Sequence, residues 1–272
     1  MAELRKGIEG VPDFEQKEFG KKKTKYCVCI PIINEGERIL KELYRGKKAG
    51  IDELTDIIIC DGGSVDGCTN ETKLRKFGVN TLLVKKGPGK QGAQLRMGFY
   101  YALERGYEGI ITVDGNNKDS IESVPLFMEK LEEGFDFIQG SRFIQGGRAV
   151  RTPFIRYLSV RFLHAPVISL TAGQWFTDTT NAFRGYSARY LKHQKVQPFR
   201  DIFMTYELLA YLSVRATPVS YTHLWKRHKA FHQFLFLIGS QKMCRMPSHL
   251  RYKKENFLFQ KNVIQCSSKT VS

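Results

Sequence analysis

The sequence has no apolar run that approaches the ~20 residues needed to cross a bilayer, and its best candidate, 234–238, is far shorter. Its first residues, which include Glu3, Arg5 and Lys6, also lack the apolar stretch of a signal peptide. These absences predict a cytoplasmic protein without membrane-spanning segments.

Acidic residues are scarce, because the chain has 27 Asp and Glu against 43 Lys and Arg, a formal net charge of +16. Such a surplus favours an anionic partner, which could be nucleic acid, an acidic membrane surface or a phosphorylated substrate. The surplus is uneven: residues 221–272 carry ten Lys and Arg and one acid, Glu255. The charge alone does not choose among these partners.

The six cysteines show no spacing typical of a metal site. Cys27 and Cys29 form one close pair, but no second pair follows at the distance that a zinc site requires. Together with Cys60 they fall inside apolar runs that predict buried strands. We therefore expect free, buried thiols and a reducing compartment.

Short apolar runs alternate with longer segments of helical period, which is the pattern of βαβ units and a mostly parallel sheet. This alternation predicts four right-handed crossovers in succession. The predicted strands are 26–33, 56–60, 81–84, 109–113 and 135–139, and the predicted helices are 37–46, 70–77, 90–105 and 120–133. Further along we expect helices at 153–170 and 203–214 and a short apolar piece at 183–186.

The chain is expected to have three parts. Residues 1–24 are polar and predict a flexible arm or a loosely docked extension. Residues 25–219 form the α/β domain, and 220–272 form a basic tail of uncertain structure.

Polar residues follow three predicted strands at their carboxyl ends, where open α/β sheets bind ligands. The first strand runs into 31–35, the second into 61–67 and the fourth into 114–119, and each segment carries an acid. Converging carboxylates repel one another unless a cation lies between them, and oxygen ligands suit Mg²⁺ or Mn²⁺ bridging a diphosphate. The alternative is that these residues serve only as helix caps and turns.

A Gly-rich stretch at 85–92 leads into the helix predicted from Lys90. Its backbone N–H groups, the helix start and the Lys90 ammonium all suit an anion. It matches neither a P-loop nor the GxGxxG dinucleotide motif, because the spacing differs. The stretch alone is therefore a weak indication of a phosphate site.

Several short motifs follow one another along the chain: I-P-I-I-N-E at 30–35, D-G-G-S-V-D-G at 61–67, a Gly-Lys helix start at 89–90, T-V-D-G-N-N-K-D at 112–119, G-S-R-F at 140–143 and D-T-T-N-A-F-R at 178–184. In this order they resemble family 2 glycosyltransferases, most of all the branch of dolichol-phosphate mannosyltransferase and other polyprenyl-phosphate glycosyltransferases. The resemblance implies the GT-A fold, a Rossmann-like nucleotide-diphospho-sugar transferase fold with a mostly parallel central sheet flanked by helices.

The resemblance also implies a donor-nucleotide site. Its residues would be Pro31, Asn34, Glu35, Asp61, Gly63, Lys90 and Asp114. Pro31 and Glu35 would line the nucleoside pocket, and Asp61 would hydrogen-bond the base. Lys90 would stabilise the charge that develops on the departing nucleoside diphosphate.

A divalent cation, Mg²⁺ or Mn²⁺, is implied because Asp114 matches the first acid of the family's D-x-D motif for metal and diphosphate. Asn116 stands in place of the second acid, which removes one negative charge. Its carbonyl oxygen can still bind a metal, so we expect Asp114 and Asn116 as ligands with lowered affinity. Asp119 is a candidate to compensate.

Three arginines, Arg142, Arg156 and Arg184, match positions that would bind the acceptor. Arg142 and Arg156 would face its phosphate, as in the polyprenyl-phosphate enzymes, while Asp178 would hold Arg184 in place. Asp114 and Arg142 are thus the expected catalytic residues, and attack from the face opposite the leaving group would invert the anomeric carbon. The ordinary alternative is that such arginines are solvated or paired with carboxylates.

The expected function is transfer of a hexose from a UDP- or GDP-sugar to polyprenyl phosphate or a glycan, in cell-envelope glycan biosynthesis, with peripheral contact at the inner face of an anionic membrane. One alternative is a nucleotidyltransferase, which usually carries a Gly-rich signature after the first strand. The other is a nucleic-acid- or membrane-binding module built on the basic, aromatic tail. No nucleic-acid-binding motif is present, so no nucleic-acid partner is expected.

The end of the chain departs from the family. After 217–219, relatives would continue into an Arg- and Gly-containing segment that closes over the diphosphate, and this sequence has no such segment. Glu207 is a further candidate participant, although a surface or capping role is favoured for it.

Overall fold

The computed structural model describes residues 2–150, 152–192, 216–220 and 222–224. The helix predicted at 203–214, Glu207, and the predicted tail apart from residues 220 and 222–224 lie outside the described residues. In the part that is described, a nine-stranded sheet forms the centre, with strand order β1-β2-β5-β4-β3-β6-β9-β7-β10. A separate two-stranded sheet pairs β11 with β8.

The elements have the following bounds. The strands are β1 Glu3–Arg5, β2 Phe14–Glu18, β3 Tyr26–Ile32, β4 Asp56–Asp61, β5 Val79–Lys85, β6 Gly109–Thr112, β7 Phe137–Ser141, β8 Arg148–Val150, β9 Arg184–Ser187, β10 Ala216–Ser220 and β11 Thr222–Leu224. The helices are α1 Glu37–Lys48, α2 Ile51–Leu54, α3 Glu71–Lys76, α4 Gln91–Glu104, α5 Val124–Glu132, α6 Phe154–Leu158, α7 Ala165–Ala172 and α8 Ala188–Leu191. A 3₁₀ turn, Ile121–Ser123, precedes α5, and a π-helical segment, Ser159–His164, joins α6 to α7.

The centre of the sheet is parallel, as predicted, because β5, β4, β3 and β6 are successive parallel neighbours. Strand β9 interrupts this pattern, since it runs antiparallel to β6 on one side and to β7 on the other. The predicted α/β class is confirmed, but the sheet as a whole is mixed, because four of its eight strand pairings are parallel and four are antiparallel. The apolar piece predicted at 183–186 is the antiparallel strand β9.

Both faces of the sheet are buried, which explains why its central strands are almost continuously apolar. On one face Val28, Ile30 and Ile32 of β3 pack with Ile39 and Leu43 of α1. Alternate residues of a strand point to opposite faces, so the intervening cysteines of β3 lie on the side of α4.

The three strand cysteines are free and fully buried, as predicted. Helix α4 passes close above them at Gly98. A Cβ at Gly98 would lie 2.6 Å from Cys60 Sγ and 3.2 Å from Cys29 Sγ. The missing side chain at Gly98 therefore lets α4 lie directly on the sheet.

The N-terminal segment differs from the predicted arm. Residues 3–5 and 14–18 form β1 and β2, and β2 pairs antiparallel with β5 at the edge of the main sheet. Phe14 is completely buried there and anchors the segment. The prediction of a flexible or loosely docked arm was wrong for this part. Strand β2 has five residues and only one aromatic ring among them, so its hydrophobic pattern is too short to recognise in the sequence.

The other end of the predicted domain also extends further than expected. Strand β10 pairs parallel with β7, and β11 pairs parallel with β8 as far as residue 224, beyond the predicted boundary at 219. Among the described residues, no helix is both long enough and apolar enough to cross a membrane.

Candidate active site

Three loops meet at one edge of the sheet, because β3, β4 and β6 are parallel and end on the same side. The first two loops are joined by hydrogen bonds. Ser64 Oγ accepts from the Asn34 N–H at 2.9 Å, and Asn34 Oδ1 accepts from the Val65 N–H at 2.9 Å. Asp66 Oδ2 accepts from the Gly36 N–H at 2.8 Å. The polar segments that follow the first two strands thus form one connected surface.

Asp61, the last residue of β4, organises its own loop. Its buried carboxylate accepts from the Gly63 N–H at 3.1 Å, the Ser64 N–H at 3.0 Å and the Ser64 hydroxyl at 2.5 Å. Gly63 has a φ of 98°, a left-handed conformation that favours glycine. Asp61 is therefore held rigidly at the edge of the sheet, and its contact with a base stays a prediction.

The two residues expected to line the nucleoside pocket differ in exposure. Pro31 is buried within β3, whereas Glu35 is half-buried in the loop that follows. Glu35 pairs with Arg38 at 2.9 Å, and its partial burial raises the pKa of the carboxyl. Glu35 can therefore reach a ligand with its side chain, while Pro31 can shape the pocket only through the strand that it belongs to.

Asp114 lies just beyond β6, on the loop that faces the start of α4. Its Oδ1 accepts from Gln91 Nε2 at 2.6 Å, a contact that sequence reasoning missed. Burial and, to a lesser extent, the negative charge of Asp119 together raise the pKa of Asp114 to about 7, against the Gln91 hydrogen bond, which lowers it. Two carboxylates that raise each other's energy in this way favour a cation, since a positive charge relieves their repulsion.

Asn116 uses its amide within the loop. Its Oδ1 accepts from the Lys118 N–H at 3.1 Å, and its Nδ2 faces Asp114 Oδ2 at 3.5 Å. No group of three or more His, Cys, Asp or Glu side chains in the described ranges is arranged to hold a metal ion. One carboxylate still fits Mg²⁺ or Mn²⁺ bound together with a diphosphate, because such ions often keep one protein carboxylate, phosphate oxygens and waters.

The Gly-rich stretch reaches the same edge. Helix α4 begins at Gln91, directly after the exposed Lys90. No side chain caps this helix start, and Gly89 before it has a φ of 100°. The first N–H groups of a helix suit an anion, so α4 points a favourable dipole toward the loop of Asp114.

Arg142 forms a buried pair with Asp178. The guanidinium donates from Nε at 2.6 Å and from Nη2 at 2.8 Å, and the Arg142 N–H also donates to Asp178 Oδ2 at 3.1 Å. Sequence reasoning expected Asp178 to hold Arg184 and missed its contact with Arg142. Arg184 is also buried, and its Nε donates to Gln139 Oε1 at 3.1 Å. Both arginines are thus fixed by the protein, and acceptor binding by Arg142, Arg184 and the half-buried Arg156 stays a prediction.

Comparison with known proteins supports the fold. An undecaprenyl-phosphate mannosyltransferase from Micrococcus luteus is 29% identical over 166 residues, which cover 60% of this chain and 66% of that protein. A polyprenol monophosphomannose synthase from Mycolicibacterium smegmatis is 24% identical over 168 residues, 61% of this chain and 62% of that protein. Glucosyl-3-phosphoglycerate synthase from Mycobacterium tuberculosis, solved with Mn²⁺, UDP and glucosyl-3-phosphoglycerate, superposes with a TM-score of 0.53 at 15% identity, over 77% of this chain and 74% of that one. The chain has the GT-A glycosyltransferase fold.

The resemblance inferred from the motifs is therefore confirmed, and the two relatives in sequence belong to the polyprenyl-phosphate branch that the motifs indicated. The chain spans just under two thirds of the length of these relatives. No family model matches it.

A large apolar surface accompanies this GT-A fold, which we call the apolar helical surface. It consists of side chains that are each more than half exposed: Phe154, Ile155, Phe162, Leu163, Val167, Leu170 and Trp175. Its helices are anchored beside the buried pair, because the rings of Phe143 and Tyr157 lie 5.4 Å apart and His164 Nδ1 lies 2.5 Å from Thr179 Oγ1. Between Asp136 and Asp178 the sequence contains no acidic residue.

Proposed function

We propose that this protein is an inverting glycosyltransferase that moves a sugar from a UDP- or GDP-sugar to a polyprenyl phosphate at a membrane surface. The fold and the named activities of the two relatives in sequence support the reaction class. The geometry at the carboxyl edge of the sheet supports the donor half, and the apolar helical surface supports the acceptor half.

The donor would lie across the three loops at the carboxyl edge. Its base would contact the connected loops of Asn34 and Asp61, with Glu35 close by. Its diphosphate would lie between Asp114 and the start of α4, where Lys90 adds a positive charge. A divalent cation held by Asp114 would neutralise charge on the leaving nucleoside diphosphate.

The acceptor half rests on one observation: a helical stretch with many exposed, large apolar side chains and no acidic residue lies next to the Arg142–Asp178 pair. Large apolar side chains that are exposed together on a surface mark interaction sites. Apolar side chains mixed with Arg156 and Arg161 suit the boundary between acyl chains and anionic headgroups. A lipid phosphate held there would bring an oxygen nucleophile that is already ionised, so the transfer would need no strong base.

The donor site is tested by calorimetric titration of UDP and GDP, with and without Mn²⁺, into the wild type and Asp114→Ala. We expect one nucleotide to bind in a metal-dependent way and the variant to lose that binding. Glu129→Ala removes an exposed carboxylate on α5 and serves as the matched control. Binding of neither nucleotide by the folded wild type would refute the proposal.

A further inference from the structure

The loop that carries Asp114 is fastened to α1 at its far end. Asn117 has a φ of 56°, a left-handed conformation that a residue with a side chain rarely adopts. Two side chains of α1 hold it there. Glu42 Oε2 accepts from the Asn117 N–H at 3.0 Å, and Arg45 Nη1 donates to Asn117 Oδ1 at 2.7 Å.

Glu42 is an unusual residue for this position, because its side chain is completely buried. One carboxyl oxygen accepts from Asn117, and the other, Oε1, has no hydrogen-bond partner. Burying a polar group that is only partly satisfied costs free energy. Packing does not explain this arrangement, since an apolar side chain would fill the same volume without that cost.

Arg45 ties the loop at further points. Its Nη2 donates to the backbone oxygen of Asp119 at 3.2 Å. Glu122, at the start of the next helical segment, holds the guanidinium through contacts of 2.8 and 2.5 Å. Arg45 therefore links α1, the loop and the segment that follows the loop, and its fork geometry allows all of these bonds at once.

We propose that Glu42 and Arg45 are positioning residues that hold Asn117 in its left-handed conformation and thereby aim the carboxylate of Asp114 at the metal and diphosphate of the donor. We call Glu42 and Arg45 the clamp. This inference rests on the proposed function, because it assigns the clamp a role in donor binding. Asp114 is anchored at one end by β6, and the clamp at Asn117 fixes the other end of a loop only a few residues long. A loop fixed at both ends presents its carboxylate at no ordering cost when the ligand arrives.

The clamp is tested with a pair of substitutions at one position and one substitution in the clamp. Asn117→Gly removes the side chain but adopts the left-handed backbone freely, whereas Asn117→Ala removes the side chain and opposes that backbone. Arg45→Gln removes the guanidinium. Arg189→Gln is the matched control, because Arg189 forms an exposed pair with Asp136 away from the loop.

The measurement is the Mn²⁺ concentration that gives half-maximal binding of UDP or GDP, with thermal unfolding of each variant recorded beside it. We expect Asn117→Ala and Arg45→Gln to raise that concentration about tenfold, Asn117→Gly to raise it less, and Arg189→Gln to leave it unchanged. A purely structural role would lower the unfolding temperature without moving the metal requirement.

The outcomes separate the two proposals. Wild-type protein that binds neither nucleotide refutes the proposed function, and the clamp inference falls with it. Wild-type protein that binds, together with Asn117→Ala and Arg45→Gln variants that need no more Mn²⁺, overturns the clamp alone. If Asn117→Ala fails to fold, the comparison of Arg45→Gln with Arg189→Gln decides.

Discussion

The guanidinium of Arg142 and the carboxylate of Asp178 are joined by two parallel hydrogen bonds in a fully buried pair. Removing one partner leaves the other charge buried without compensation, which costs about 3–5 kcal/mol. We therefore expect Arg142→Met and Asp178→Leu to lower the free energy of unfolding in urea by this amount. Loss of activity in either single variant would not by itself demonstrate catalysis.

The double variant Arg142→Met/Asp178→Leu separates stability from function at this pair. Replacing a buried ion pair by apolar residues of similar volume is often neutral or stabilising, so the double variant should recover most of the lost stability. Activity that stays absent in this folded protein would support acceptor binding by Arg142. A double variant as unstable as the single ones would mean that an uncompensated buried charge is not what destabilises the single variants.

The metal site can be strengthened by restoring the second acid. Asn116→Asp adds a carboxylate beside Asp114 and keeps an oxygen for the Lys118 N–H. A further charged ligand favours a hard cation, so we expect nucleotide binding to need about tenfold less Mn²⁺. Calorimetric titration measures the shift, and Glu129→Asp on α5 is the control. An unchanged Mn²⁺ requirement would show that this position does not approach the metal.

Membrane contact should depend on the apolar helical surface. Phe162→Ser and Leu170→Ser each remove a large exposed side chain, and burying such a side chain contributes about 1.5–3 kcal/mol. We expect each variant to bind anionic vesicles about tenfold more weakly in sedimentation, because 1.4 kcal/mol corresponds to that factor. Leu126→Ser, which changes an exposed leucine on α5, should bind as the wild type does. Equal sedimentation of all four proteins would rule out this surface.

The free energy of unfolding should decrease as the pH rises, because of Glu42. Burial raises the pKa of Glu42 well above its usual range, and the charge of Asp119 raises it further, against the Asn117 N–H and Arg45, which lower it. In the unfolded chain the group ionises near pH ~4.3, so unfolding releases a proton. The contribution of Glu42 to stability is complete below the pKa of the unfolded chain. It is lost as the pH rises from there through the pKa of the folded protein, by at most about 1.4 kcal/mol per pH unit.

Glu42→Gln cannot ionise and removes this effect. The stability of the variant relative to the wild type should increase steadily in urea unfolding from pH 5 to 8. Glu129→Gln changes an exposed carboxylate and should show no such trend. A difference between Glu42→Gln and wild type that is independent of pH would mean that Glu42 is ionised in the folded protein.

The sequence was most informative where strands are buried on both faces. The apolar runs of β3, β4 and β6 predicted these strands, and parallel pairing brought the polar segments after them to one edge. Contacts between distant residues carry no local pattern. The pairing of Arg142 with Asp178, the bond from Gln91 to Asp114 and the burial of Glu42 under the loop could not be read from spacing.

The three thiols beneath α4 make the motion of this helix measurable. Cys27, Cys29 and Cys60 are shielded from solvent by the same helix whose start faces Asp114. A thiol-specific reagent reaches them when α4 lifts from the sheet, so the rate at which these three cysteines are labelled under native conditions, measured separately from Cys68, Cys244 and Cys266, reports how often they become accessible. Labelling of these thiols thus measures the opening of the helix that would receive the diphosphate, and a bound nucleotide should lower the labelling rate.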